Sequence, residues 1–206
     1  IDVSLVGSEM CIRDRSRKVY EANITVFDAL KKSDSDPNGK FYLERYIAAH
    51  AIMISFEGIP AIYFNSLFGK SNDEAKYVIT GNNRDVNRYK WNQKNITKKL
   101  NDKTSKQNIF YRNIGKLLEI KRQQKAFHPN AKRLSINLGP KLFCFKRISL
   151  DKKQSIISIT NCSSVYQYPK LDKKYSKWKN VLNPEINSLN KFLKLKPFET
   201  MWLSNI

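Results

Sequence analysis

The chain has 206 residues, with 41% hydrophobic and 12% aromatic content, which is enough apolar material for a core and argues against disorder. Its 38 basic residues against 18 acidic ones give a formal net charge of +20. Three cysteines, Cys11, Cys144 and Cys162, lie far apart, with no CxxC pair and no histidine cluster. That spacing argues against a zinc site or a disulfide framework and makes a reducing compartment the default. No apolar stretch reaches the length of a membrane span, and the N-terminus lacks the basic start and apolar run of a secretory signal, so the reading is a cytoplasmic protein with no membrane partner.

Residues 1–16 do not behave like the rest. Leu5 to Arg15 shows neither a helical nor a strand period. It resembles a peptide produced when adapter bases of sequencing reads are translated, and it is set aside as a non-native lead. Val19 to Leu30 then reads as an extended loop with strand-like residues at Asn23 to Phe27. Ser33 to Gly39 is a polar turn carrying Pro37-Asn38-Gly39. Phe41 to Phe56 reads as a buried helix, because Leu43, Ile47, Ala51 and Ile54 recur on one face. Gly58 is expected to close it.

Ile59 to Phe64 is a short apolar run expected to form a buried strand. From Leu67 to about Lys103 the chain is polar and reads as a long loop, with a short helix near Asn92 to Leu100. Ser105 to Lys125 is the second clear helix. Its stripe is Ile109, Phe110, Ile114, Leu117 and Leu118, and its C-terminal cations suit the helix dipole.

After His128-Pro129-Asn130 the period changes to two. Leu134 to Leu138, Leu142 to Phe145, Ser155 to Thr160, Phe192 to Leu195 and Glu199 to Leu203 predict short antiparallel strands. The predicted organisation is α/β. Residues 17–130 form the incomplete C-terminal part of a parallel barrel, and residues 131–206 form a small antiparallel β domain. A single parallel strand needs neighbours to pair with, so the order of elements predicts that this chain is part of a longer protein.

Several segments in order carry a resemblance. They are Tyr20 to Leu30, Gly58 to Phe64, Gly81 to Arg88, Tyr111-Arg112 with Leu117-Leu118 and Lys121-Arg122, and Leu195 to Leu203. Together they resemble the C-terminal part of sucrose phosphorylase-like enzymes of the alpha-amylase superfamily, on the branch with sucrose-6-phosphate and glucosylglycerate phosphorylases. The resemblance implies the last strand and flanking helices of a (β/α)8 barrel. It implies retaining transfer of a glucosyl group from a sucrose-like donor to inorganic phosphate, without a cofactor or metal. The family's nucleophile, acid/base and stabilising carboxylates have no match here. No catalytic residue is assigned, and the chain alone is expected to be inactive.

The resemblance makes Arg84 the leading candidate for contact with phosphate or the leaving sugar. A guanidinium suits phosphate oxygens, and barrel enzymes often bind phosphate with the loops after their last strands. Its competing reading is a solvated arginine or a partner for Asp85. Asn87 and Arg88 belong to the same motif. Asp73, in Ser71-Asn72-Asp73-Glu74, is a candidate acceptor-sugar ligand or a turn cap. His50, on the buried helix, reads as a packing residue, and Trp91 as either a sugar platform or packing.

Two other classes compete. A hydrolase of the same superfamily would have no need of a phosphate-binding arginine. A basic nucleic-acid-binding module would focus positive charge on one face with exposed aromatics among the lysines. The lysines are scattered along the sequence and no helix-turn-helix is evident, which argues against a nucleic-acid partner. The C-terminal domain acting alone as a carbohydrate-binding or interaction module is a third reading.

Overall fold

The computed structural model describes residues 23–184 and 193–206. The lead 1–16, the first residues of the Tyr20 segment, and Phe192 fall outside them. The chain divides into two compact units, one of residues through Leu30 with Ile62–Tyr111, the other of Lys31–Ala61 with Arg112–Ile206. Among the described residues no helix is long and apolar enough to cross a membrane.

The first unit begins with a short helix, α1 (Val26–Leu30), where strand-like residues had pointed to extended chain. Thr25 explains the difference. Its hydroxyl accepts from the Asp28 amide at 3.2 Å, a local cap that starts a helical turn. The run expected as a strand, Ile59 to Phe64, is not paired into any sheet among the described residues. Ile59 is 85% exposed, and Phe64 opens a 3-10 turn, Phe64–Phe68. An apolar, β-branched run does not by itself make a strand; the ladder partner does.

The polar stretch expected as a loop is largely helical. It holds α3 (Glu74–Thr80), a 3-10 turn at Asn83–Val86, and α4 (Gln93–Asn101), the last close to the expected helix. Each begins at a capping side chain: Asp73, Asn82 and Asn92 accept from the amides of Lys76, Arg84 and Asn95. Short polar helices of this kind are set by caps rather than by an apolar stripe, so periodicity does not reveal them.

The second unit contains α2 (Tyr42–Ser55), which matches expectation and buries Tyr46, Ala51 and Ile54. It stops at Phe56, whose ψ of 171° is extended, two residues before Gly58. His50 is buried, its Nδ1 2.9 Å from the Tyr46 carbonyl, and burial pushes its imidazole pKa down. The long helix α5 (Lys106–Gln123), whose residues up to Tyr111 are counted with the first unit, is also as expected. Upstream of α2, Asp36 accepts from the amides of Lys40 and Phe41 and pairs with Arg45 at 2.5 Å. Burial pushes this carboxyl up, but those amides and the guanidinium outweigh it and hold it below its usual range.

Five antiparallel strands follow: β1 (Lys132–Ser135), β2 (Leu142–Ile148), β3 (Ser155–Asn161), β4 (Lys179–Asn180) and β5 (Thr200–Ser204), in spatial order β1-β2-β3-β5-β4. Four occupy expected positions, and β4 is too short to show a period. The expected strand ending at Leu195 is only a bridge to Gln167.

Alternation places two sets of residues on β3. Ile157 and Ile159 join Cys144, Met201, Leu203 and Leu195 in one apolar cluster. Burial pushes the Cys144 thiol pKa up to about 12. On the other face Ser158 meets Ser55 of α2, hydroxyl to hydroxyl at 3.2 Å, and Trp202 sits edge-on to Phe127 at 4.8 Å. The central strand is covered on both sides, which is why its sequence, SIISITN, has no polar stripe of solvated residues.

Arg147 on β2 is fully buried. Its guanidinium donates to the carbonyls of Ser55, His128 and Ala131 at 2.9, 2.7 and 3.2 Å. It satisfies the C-terminal end of α2 and the turn entering the sheet, where backbone acceptors would otherwise be orphaned.

Candidate functional site

The residues singled out by sequence all lie in the first unit, on the path from Asp73 through α3 to Trp91. Asp73 is the N-cap of α3, its Oδ1 accepting from the Lys76 amide at 3.3 Å. Its own amide donates to the Val86 carbonyl at 2.8 Å. One residue therefore fixes the start of α3 and ties it to the end of the 3-10 turn that carries Arg84. α3 ends at Gly81, whose φ of 65° turns the chain back.

The turn Asn83–Val86 is held from several directions. Asn82 accepts from the Arg84 amide at 3.0 Å. The Asp85 carboxylate accepts from Lys76 Nζ at 2.7 Å. That hydrogen bond, the nearby Thr80 hydroxyl and the charges of Lys76 and Arg88 hold the Asp85 carboxyl below the usual range, although burial pushes it up. Asp85 is thus ion-paired with Lys76 of α3. Val86 is buried and anchors the turn from below. Arg84 is half-buried and Arg88 is exposed, four residues apart on either side of that anchor.

Beyond the turn, the chain is fastened by a residue that sequence reasoning passed over. Asn65 is buried at 4% exposure in the 3-10 turn after the apolar run. Its amide donates to the carbonyls of Asn87 at 3.2 Å and Tyr89 at 3.0 Å, and its oxygen accepts from Trp91 Nε1 at 2.8 Å. Trp91 is thus engaged in packing: it lies edge-on to Tyr89 at 4.9 Å and to Phe68 at 5.8 Å. An amide side chain inside the mostly apolar run Tyr63-Phe64-Asn65-Ser66-Leu67-Phe68 was the available signal, since a buried amide must have partners.

Asp28 is a second residue missed. It accepts from the Asn72 amide at 2.6 Å, and Asn72 in turn accepts from the Thr25 amide at 2.8 Å. This reciprocal clasp fixes the loop just before Asp73. In the sequence Asp28 stands within the Tyr20 to Leu30 run, with no role of its own.

Asn87 lines a hollow of about 100 Å³ together with Thr25, Asn65, Ser66 and Lys70. That is small beside cavities that enclose a sugar-sized ligand, roughly 300 Å³ or more. Asp73, Arg84 and Arg88 do not line it. The structure brings Arg84, Asn87 and Arg88 together along one braced turn and places Asp73 at its foot. Larger cavities of about 470 and 420 Å³ lie in the second unit and include none of these residues. Among the described residues no group of three His, Cys, Asp or Glu is arranged to hold a metal ion.

No family model matches the sequence. The glucosylglycerate phosphorylase of Escherichia coli (strain K12) is 30% identical over 190 residues, which is 92% of this chain and 33% of that protein. The sucrose phosphorylase of Agrobacterium vitis is 35% identical over 78 residues, covering 38% of this chain and 14% of that protein. Among solved structures, a variant of AmyP in complex with maltotriose superposes with a TM-score of 0.64 at 16% identity, over 82% of this chain and 36% of that one. The chain spans about a third of the length of the Escherichia coli relative it matches. The fold is α/β of the alpha-amylase type: helices of the end of a (β/α)8 barrel, then a small antiparallel β domain.

Proposed function

Since the chain is a homologue of part of the glucosylglycerate and sucrose phosphorylases, we propose that it forms the phosphate-side portion of a retaining glycosyl phosphorylase, with Arg84 as the phosphate ligand. In this reading a glucosyl group passes from a glucosylglycerate- or sucrose-like donor to a carboxylate and then to inorganic phosphate. The chain contributes binding. Nucleophile and acid/base fall to the two thirds of such an enzyme that the match does not cover. A cytoplasmic setting, where phosphate and sugar phosphates are at hand, fits this role.

The observation that carries the proposal is the bracing of the Arg84 turn. Asn82, Asp73, the Lys76–Asp85 ion pair and Asn65 fix the backbone on both sides of it. A solvated surface arginine needs no such support. A guanidinium asked to meet phosphate oxygens in a fork does, because a small misplacement costs both hydrogen bonds. Arg88 supplies a second, more exposed cation to draw the anion in. Asn87 orients a hydroxyl of the sugar or an oxygen of phosphate, and Asp73 acts mainly on the turn.

The test is phosphorolysis by the longer enzyme carrying these residues, with Arg84→Ala. Losing a charged hydrogen-bond pair of about 1.5–3 kcal/mol should raise the KM for phosphate roughly 10- to 100-fold, with a smaller change in the KM for the donor sugar. Arg84→Lys should restore part of it. An unchanged KM for phosphate rejects the role of Arg84. Sugar release that does not depend on phosphate at all would favour a hydrolase of the same fold.

A further inference from the structure

The β domain concentrates lysines and tyrosines on one face in a way that the scattered sequence does not reveal. The segment after β3 runs extended, and Gln167 pairs with Leu195 through two backbone hydrogen bonds of 3.0 and 2.9 Å. Leu195 is fully buried in the apolar cluster of the sheet. With a period of two, its neighbours Lys194 and Lys196 turn out to solvent, as do Tyr166 and Tyr168, which are 48% and 58% exposed. Lys194 Nζ lies 4.4 Å from the centre of the Tyr166 ring.

The next turn repeats the arrangement. Leu171, Tyr175 and Trp178 pack against the same cluster. The lysines between them, Lys173, Lys174 and Lys177, are therefore forced outward and exposed, as is Lys170 just before Leu171. Asp172 is the one acid among residues 165–179, and it is already paired with Lys174 at 2.8 Å. The apolar residues that anchor this stretch to the sheet are what sort its charges onto the outside.

We infer that this face binds a single-stranded nucleic acid, with the lysines on phosphates and Tyr166 and Tyr168 as platforms for bases. Charge complementarity selects the occupant. A neutral glucan would use the tyrosines and gain nothing from six lysines. A lipid surface would use the lysines but has no bases to set against two rings held at alternate positions of an extended strip. A flexible single strand uses both, because its phosphates are spaced along the chain and its bases are free to stack. The inference is independent of the phosphorylase reading, which rests on the other unit.

The experiment is fluorescence anisotropy of a labelled twelve-residue oligo(dT) with the 206-residue chain at 50 and 200 mM NaCl. If about four lysines engage phosphates, affinity should fall roughly 50-fold between the two salts. Tyr166→Ala with Tyr168→Ala should weaken binding about tenfold or more without altering the salt slope. Lys173→Gln with Lys177→Gln should make the slope shallower by about 1.4. Lys98→Gln with Lys99→Gln, on α4, removes the same charge elsewhere and should change neither. Circular dichroism of each variant shows that the fold is retained. The inference is overturned by no binding at 50 mM, by tyrosine variants that bind as before, or by a control variant that weakens binding as much as the face variants. Tighter binding to phosphatidylserine vesicles, or salt-insensitive binding to a maltooligosaccharide, would equally overturn it.

Discussion

The two units are stabilised by different means. The sheet unit is organised by apolar burial, with Trp202, Ile156, Ile157, Ile159 and Phe145 all but excluded from water. A buried cation, Arg147, closes the backbone ends beside it. Among the described residues, the unit carrying Arg84 has Phe27, Phe68 and Phe110 as its large buried side chains, and Gly69 sits so close to Phe110 that a Cβ there would meet the ring at 2.2 Å. Around that small core its shape is set by side-chain amides and carboxylates on backbone groups: Asp28, Asn65, Asn72, Asp73 and Asn82. In a sheet with a deep core, the cost of a lost polar contact should fall on the whole unit at once. A set of turns held by single hydrogen bonds should fail one turn at a time.

The largest effect tests whether the sheet unit has a polar weak point. Arg147→Ala leaves three backbone carbonyls without their donor and opens a cavity, at a cost of about 3–4 kcal/mol. Global denaturation should show it as a lower midpoint with an unchanged slope. Arg147→Met, which refills the volume but not the hydrogen bonds, should recover a minor part. If Met matches the wild type, the carbonyls do not depend on the guanidinium and the unit is held by apolar packing alone.

In the site unit the equivalent change should be local. Asn65→Ala removes two donors from the carbonyls of Asn87 and Tyr89 and the acceptor of Trp91. About 2 kcal/mol is expected, felt by the segment it holds. Amide hydrogen exchange in residues 83–91 should speed up about thirtyfold, while the sheet amides keep their protection. Uniform acceleration in both units would erase the distinction between them.

That distinction also decides what could be read from sequence. α2 and α5 were legible because each turns a periodic apolar face inward, with Ala51 and Ile54 buried on one helix and Phe110, Ile114 and Leu117 on the other, and four strands were legible from short apolar or alternating runs, although β3 is buried on both faces and β1 on neither. The Arg84 turn was legible as a motif but its support was not. Lys76, Asn65 and Asp28 act on residues 9 to 44 positions away through single hydrogen bonds, and no period marks such a contact. The apolar run at Ile59 misled for the complementary reason. Composition reports that a segment suits a strand, while pairing is a property of its neighbours. The lysine face of the β domain was hidden likewise, since sorting by side needs the anchors Leu171, Tyr175, Trp178 and Leu195 to be known.

The smallest effect separates two roles proposed for one side chain. Asp73 caps α3, and replacing a cap with alanine costs about 1 kcal/mol. Asparagine caps about as well, since its oxygen can still accept from the Lys76 amide. Asp73→Ala should therefore loosen α3 and the Arg84 turn together, through the lost cap, and Asp73→Asn should leave both in place. In the longer enzyme, a KM for the acceptor sugar that follows this stability order marks Asp73 as a residue that positions the turn. An asparagine variant that folds as the wild type yet loses acceptor affinity would mean that the charge of Asp73 meets the sugar directly.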